Sequence, residues 1–263
     1  MHQALIAGRY EIRDLLGRGA GGTVLEAMDR RLDRLVTLKL VCRPGADEPA
    51  AQQALHRALR DAQAAGRLSH PGIVAVHDMG QGPDYAWIVF ERVIGETLEV
   101  ALDRDGPPPL AEALRIASEL LDALGAAHRR GILHRAVTPA NILLAAGPEP
   151  GWGQVRLTDF GIARLGDATP DSQDQRADLW AAGVVLHQLL TGARPFEDAP
   201  ATMLPPPLDT VMARALAKRP EDRFPEAAEM AEAIRVAALH PARARVRRSH
   251  PQGLIGFLRR VRA

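Results

Sequence analysis

The chain has 263 residues, 46% of them hydrophobic, and a formal charge of +1. That is apolar material for one large domain or two small ones, and the near-neutral balance excludes a protein built around a strong global field. Cys42 is the only cysteine, which excludes an intramolecular disulfide framework.

In chain order, Tyr10 to Leu16, Thr23 to Asp29 and Leu35 to Cys42 are β-type apolar runs joined by Gly-rich or charged turns. A helix is expected over about Pro49 to Leu68, with positions 54, 58, 65 and 68 on one face and Asp61 on that same face. Val74 to His77 and Trp87 to Phe90 predict two more strands, with Gly80 to Asp84 turning between them. Then the period changes. Leu110, Leu114, Ala117, Leu121, Leu124 and His128 follow helical spacing, and further helices are expected over Trp180 to Leu190, from Met203 to Leu216 onward, and over Ala227 to Leu239. A strand-rich third followed by a helix-rich remainder predicts an α+β, two-lobed fold, small lobe first, divided near Glu91 to Thr97. The expected units are residues 1–93, 94–239 and a basic tail over 240–263.

Charge supports setting the tail apart. Pro241 to Ala263 holds seven of the 33 basic residues and none of the 32 acidic ones, which leaves the preceding residues 26 basic against 32 acidic, a net of −6. Arg243, Arg245, Arg247 and Arg248 cluster, and Leu254, Ile255, Phe257, Leu258 and Val261 then share one side of a helical wheel. A short amphipathic helix seeking an anionic membrane or another acidic surface is one reading; a solvated tail is the other. No nucleic-acid motif is present. Met1 to Glu11 does not resemble a secretory signal, and Trp180 to Leu190 is too short to span a membrane and contains His187 and Gln188. The expected compartment is the cytosol.

Gly17, Gly19 and Gly22 form G-x-G-x-x-G, with Val24 two residues on. A dinucleotide loop would open a helix, and a Walker loop needs Gly-Lys-Ser/Thr. Here the loop joins two strands, so it is either a plain Gly-rich turn or a flap whose amides can approach phosphates. Lys39 sits in the apolar strand Val36-Thr37-Leu38-Lys39 of a chain whose only other lysine is Lys218. It is an edge residue facing solvent or a charge aimed at a partner, and the scarcity of lysine favours the partner. Asp61 is a candidate counter-ion; otherwise it is a helix-surface carboxylate.

His134-Arg135-Ala136-Val137-Thr138-Pro139-Ala140-Asn141 precedes Ile142-Leu143-Leu144, and Asp159-Phe160-Gly161 comes eighteen positions after Asn141. With Leu68-Ser69-His70-Pro71 and Ala215-Leu216-Ala217-Lys218-Arg219-Pro220, this ordered set resembles the eukaryotic-like serine/threonine protein kinases of bacteria, over about residues 8–237. The resemblance implies that Gly17, Gly19 and Gly22 cover the phosphates of ATP, that Lys39 holds the α- and β-phosphates, and that Asn141 and Asp159 coordinate Mg2+. It puts Phe90 at the gatekeeper position, Glu91 to Val93 at the hinge, and Leu16, Val24, Thr37 and Leu143 around adenine, Thr37 standing where alanine is usual.

The departures fall on chemistry. Ala136 replaces the catalytic aspartate, Thr138 replaces the catalytic-loop lysine, and Asp61 replaces a glutamate one methylene longer. No catalytic residue is intact. Between Phe160 and Asp178 there is no Ala-Pro-Glu, and Ile162 to Ala177 is short for an activation segment although it contains Thr169 and Ser172. Arg223 resembles the arginine that normally pairs with the missing glutamate. After Pro195-Phe196 only the Pro-rich Ala199 to Leu208 precedes the next helix. These losses predict a nucleotide-binding pseudokinase acting as a switch or scaffold for a protein partner. A slow or atypical kinase using Mg-ATP is the alternative, and a module that no longer binds nucleotide is the third reading.

Overall fold

The computed structural model describes residues 5–19, 22–42, 56, 59–82, 85–147, 151–160, 174–195 and 204–239. The start of the expected first helix, Thr169 and Ser172, the Pro-rich stretch up to Met203 and the basic tail lie outside these residues.

Six strands form the upper sheet: β1 (Leu5–Ile6), β2 (Tyr10–Gly19), β3 (Gly22–Asp29), β4 (Arg34–Cys42), β5 (Val76–Gln81) and β6 (Tyr85–Glu91). Their spatial order is β1-β2-β3-β4-β6-β5, with antiparallel neighbours throughout. The period of two sorts side chains between its faces. Val36, Leu38, Trp87 and Val89 join Tyr10, Leu25 and Ala27 in an outer cluster, where the Tyr10 and Trp87 rings lie 5.5 Å apart. Val41, Ala86, Ile88 and Phe90 face the other way and pack with Val74 and with Ala62 of helix α1 (residues 59–65). Lys39 falls on this second face of β4, between Thr37 and Val41, and is 5% exposed.

The lower lobe begins with a second sheet, β7 (Gly95–Thr97), β8 (Ile142–Ala145) and β9 (Gln154–Leu157), in that order and antiparallel. Its helices are α2 (Leu98–Asp105), α3 (Leu110–His128), α4 (Gln175–Thr191), α5 (Pro206–Ala215) and α6 (Ala227–Leu239). α3 is apolar over much of its circumference, and buries Ile116, Leu120, Leu121 and Leu124 against α4, α6 and β9. The two-lobed α+β fold expected from the sequence is the one observed. None of the described helices is long and apolar enough to cross a membrane.

Three local differences have physical reasons. β7, β8 and β9 have three or four residues each, too few to display a period. Helix α4 starts at Gln175, five residues before the expected Trp180. Asp174 caps it by accepting from the Arg176 amide, and its first turns carry charge because Asp178 points inward. Gly80 and Gln81 belong to β5 and do not turn; the connection closes at Gly82, whose amide donates to Tyr85 O at 2.7 Å. Gly80 is small because a Cβ there would stand 2.5 Å from Cζ2 of Trp87.

Gly80→Ala should therefore lower unfolding stability by about 1–3 kcal/mol, the cost of overpacking a filled site. Gly147→Ala meets open space and should stay within about 0.5 kcal/mol of the parent. Urea denaturation of both variants checks the contrast.

Candidate functional site

The β2–β3 hairpin ends in the pair Gly19↔Gly22, with Val24 opposite Lys39 one strand further in. Gly22 has φ +118°, and a Cβ on it would meet Leu40 O at 2.1 Å, so this position admits only glycine. A Cβ on Gly17 would enter open space. Leu16 beside it is exposed, whereas Val24 and Thr37 are half-buried.

Behind the hairpin, the Lys39 ammonium donates to Asp159 Oδ2 at 2.9 Å. Both side chains are largely buried, so the pair compensates two charges that would each be costly alone. The expected pairing of Lys39 with Asp61 is not the one formed. Asp61 on α1 faces Arg135, whose Nη1 lies 3.3 Å from its Oδ1. The aspartate side chain is a methylene shorter than glutamate, and Asp159 answers Lys39 from the lower lobe instead.

At the back of the cleft, Thr37 pairs in register with Phe90, which is buried in the inner cluster. Val93 and Leu143 pack against that same cluster, so these three residues form one apolar wall. Glu91 Oε1 accepts from the Ala75 amide at 2.9 Å and from Arg156 Nη2. Arg92 turns its guanidinium to Glu26, at 2.7 Å, and to Val93 O.

The loop before β8 is held by Asp178, which reaches it from α4. Asp178 accepts from the His134 amide at 2.8 Å, from the Arg135 amide at 2.7 Å and from His128 Nε2 at 2.8 Å. Arg135 adopts φ +65°, a conformation uncommon for a residue with a Cβ, and the Asp178 bonds on both sides of the His134–Arg135 peptide hold it there. The Ala136 amide donates to His134 Nδ1 at 3.2 Å, so His134 is the neutral tautomer that donates Nε2–H to Thr158 O at 2.8 Å. Its ring packs against Phe160, 4.5 Å away. Asn141 Nδ2 donates to Ala136 O at 2.8 Å, and the Thr158 amide donates to Asn141 O at 3.0 Å. Asn141 thus lies beside the segment that leads into Asp159.

The Asn141 amide oxygen and the Asp159 carboxylate are hard donors of the kind that suits Mg2+. Among the described residues no group of three His, Cys, Asp or Glu side chains gathers to hold a metal. Ala136 is half-buried and Thr138 exposed. Arg223 donates to Ala217 O at 2.9 Å and Lys218 O at 3.0 Å, and its guanidinium lies 5.9 Å from the Trp180 ring centre. Asp178 is not among the site residues expected from the sequence; an acid at the head of the apolar run Leu179-Trp180-Ala181-Ala182-Gly183-Val184-Val185 is the signal that could have found this buried anchor.

Residues 10–174 match the family described as the protein kinase domain, well over half of the chain. The chain belongs to that family. It is 36% identical to serine/threonine-protein kinase PknB of Mycobacterium leprae, over 91% of this chain and 44% of the relative. It is 34% identical to serine/threonine-protein kinase pkn3 of Myxococcus xanthus, over 85% and 49%. Against serine/threonine-protein kinase PksC of Streptomyces coelicolor it is 35% identical, over 90% and 50%. The chain spans about half the length of these bacterial kinases. The first comparison runs over 285 positions, more than the 263 residues present, so that kinase carries segments within the matched region that this chain lacks.

Burial pushes His134 and His187 below the ordinary histidine value of 6.5. Burial alone would raise Asp178, but the bonds from His128, His134 and Arg135 hold it below 3.8. A histidine depressed in the folded state lets the unfolded chain bind protons first, so stability falls once pH drops below about 6.5. Asp178 adds a further loss below about 3.8. The melting temperature should decline from about pH 6.5 to 5.5; a rise over that interval contradicts the assignment of buried neutral histidines.

Proposed function

We propose that this protein-kinase-family member is a nucleotide-binding pseudokinase, a regulatory switch or scaffold with little or no phosphoryl transfer. The observation that carries the reading is Ala136, held on one side through its amide by His134 and on the other through its carbonyl by Asn141. The scaffold of the loop is complete, and a methyl group stands where the family resemblance puts the base. A methyl cannot take the proton of a substrate hydroxyl, and losing a general base costs on the order of 10²–10⁴ in rate. Exposed Thr138 supplies no cation for a transferring phosphoryl group. The segments missing relative to longer kinases support the same reading, since the shortened stretches border the surface that grips a protein substrate.

Within this reading ATP lies under the glycine hairpin against the wall of Phe90, Val93 and Leu143. Lys39 binds its phosphates, and Asn141 with Asp159 holds Mg2+, which neutralises phosphate charge. The protein acts in the cytoplasm on a protein partner, and the basic tail supplies contact with an anionic membrane or another acidic surface. The second reading, a slow serine/threonine kinase, draws on Lys39, Asn141 and Asp159 and on the names of the relatives, because phosphoryl transfer depends heavily on positioning and charge.

Millimolar Mg·ATP should raise the melting temperature, by ligand binding to the folded state. Lys39→Ala and Asp159→Asn should each reduce that shift, and no shift in the parent removes the nucleotide from the proposal. With γ-labelled ATP the protein should transfer no label to general protein substrates, and Ala136→Asp should not restore transfer. Robust transfer by the parent, lost in Asp159→Asn, would establish the kinase reading in its place.

A further inference from the structure

Helix α1 stands between the two lobes and touches both. Ala62 packs into the inner cluster of the upper sheet, whereas Ala65 and Leu68, just beyond, belong to the main core of the lower lobe. The turn that follows it is fastened to α3 and the residues just after it: Arg130 Nη1 donates to Arg67 O at 2.6 Å, and His70 Nε2 lies 3.2 Å from Asp122 Oδ2. Asp61 lies four residues before Ala65, one turn along the same face. Arg135 Nη1 approaches both of its carboxylate oxygens, at 3.3 and 3.4 Å. Arg135 is not a free-swinging partner. Asp178 holds its amide, and its backbone sits in the left-handed region, so the guanidinium is presented from a fixed base.

We propose that Asp61 and Arg135 form a nucleotide-independent latch that holds α1 on the loop of the lower lobe. The nucleotide-facing pair, Lys39 with Asp159, is a separate contact with separate residues. A ligand that takes Lys39 and Asp159 leaves the latch closed, because neither latch residue is among the groups it engages. Movement on nucleotide binding is then confined to the hairpin and β4, and α1 presents the same surface in both states. The latch pair is partly exposed, so it is modest in strength and sensitive to salt.

The test is a charge swap read by amide hydrogen exchange in residues 59–65, with α3 amides as the internal reference and no nucleotide present. Asp61→Arg alone and Arg135→Asp alone should each speed exchange in 59–65 about fivefold, and the double swap should return it to within about twofold of the parent. Aspartate tolerates the left-handed backbone at 135, which keeps that variant foldable. Singles that leave exchange unchanged, or a double swap that fails to restore it, overturn the latch. In the parent, raising NaCl from 50 mM to 1 M should speed exchange in 59–65 relative to α3; no salt response also overturns it. Adding Mg·ATP to the parent should leave 59–65 within about twofold; added protection there removes the nucleotide independence. Failure of ATP to bind at all would remove the nucleotide from the proposed function and leave the nucleotide-free result standing.

Discussion

Asp178, 2% exposed, reaches back from the first turn of α4 to a loop more than forty residues earlier. It accepts the amides of His134 and Arg135 and the imidazole of His128. A carboxylate this deep is tolerable only because three donors surround it. In return it fixes consecutive peptide groups. From them follow the neutral tautomer of His134, the position of Ala136, the Asn141 bond to Ala136 O and the strained backbone of Arg135. Both sides of the cleft take their bearings from this point. Through His134 it reaches Thr158 and the approach to Asp159; through Arg135 it reaches α1.

The nature of these bonds explains how alanine can stand at position 136, where the family resemblance puts a catalytic base, in an otherwise intact loop. Every contact that places residue 136 uses its backbone, so alanine satisfies them as well as any other residue. A half-buried methyl also leaves no donor or acceptor unmet. A charged base at the same place would bring its own desolvation cost and would gain nothing in stability. Lys39 and Asp159 differ. Each is a charge whose removal strands the other in a largely buried site. Replacing either charge therefore carries a structural cost, whereas the side chain at residue 136 can change without one.

What the sequence displayed depended on whether a residue's setting was local. The strand that carries Lys39 was legible because its apolar run is a property of adjacent residues, and α3 because its period repeats for five turns. The wall of Phe90, Val93 and Leu143 came through the order of motifs. The partner of Lys39 did not. Choosing between Asp61 and Asp159 requires knowing how far α1 stands from the strand, which is a property of the folded lobes and not of the local sequence. Asp178 and Gly80 were hidden for the opposite reason: an acid just ahead of an expected helix and a glycine read as a turn are each explained only by the group they meet, backbone amides in one case and the Trp87 ring in the other.

The aromatic residues are sparse, and their placement divides the molecule optically. Trp87 lies in the outer cluster of the upper sheet beside Tyr10, whereas Trp152 and Trp180 both pack against the lower core. With three tryptophans in the chain, replacing the lower two by phenylalanine leaves a single indole, and it sits in the small lobe. Its emission then reports the melting of that lobe alone, while the complementary Trp87→Phe protein reports the helical lobe. Whether the halves unfold together or one after the other becomes a question of comparing two fluorescence curves.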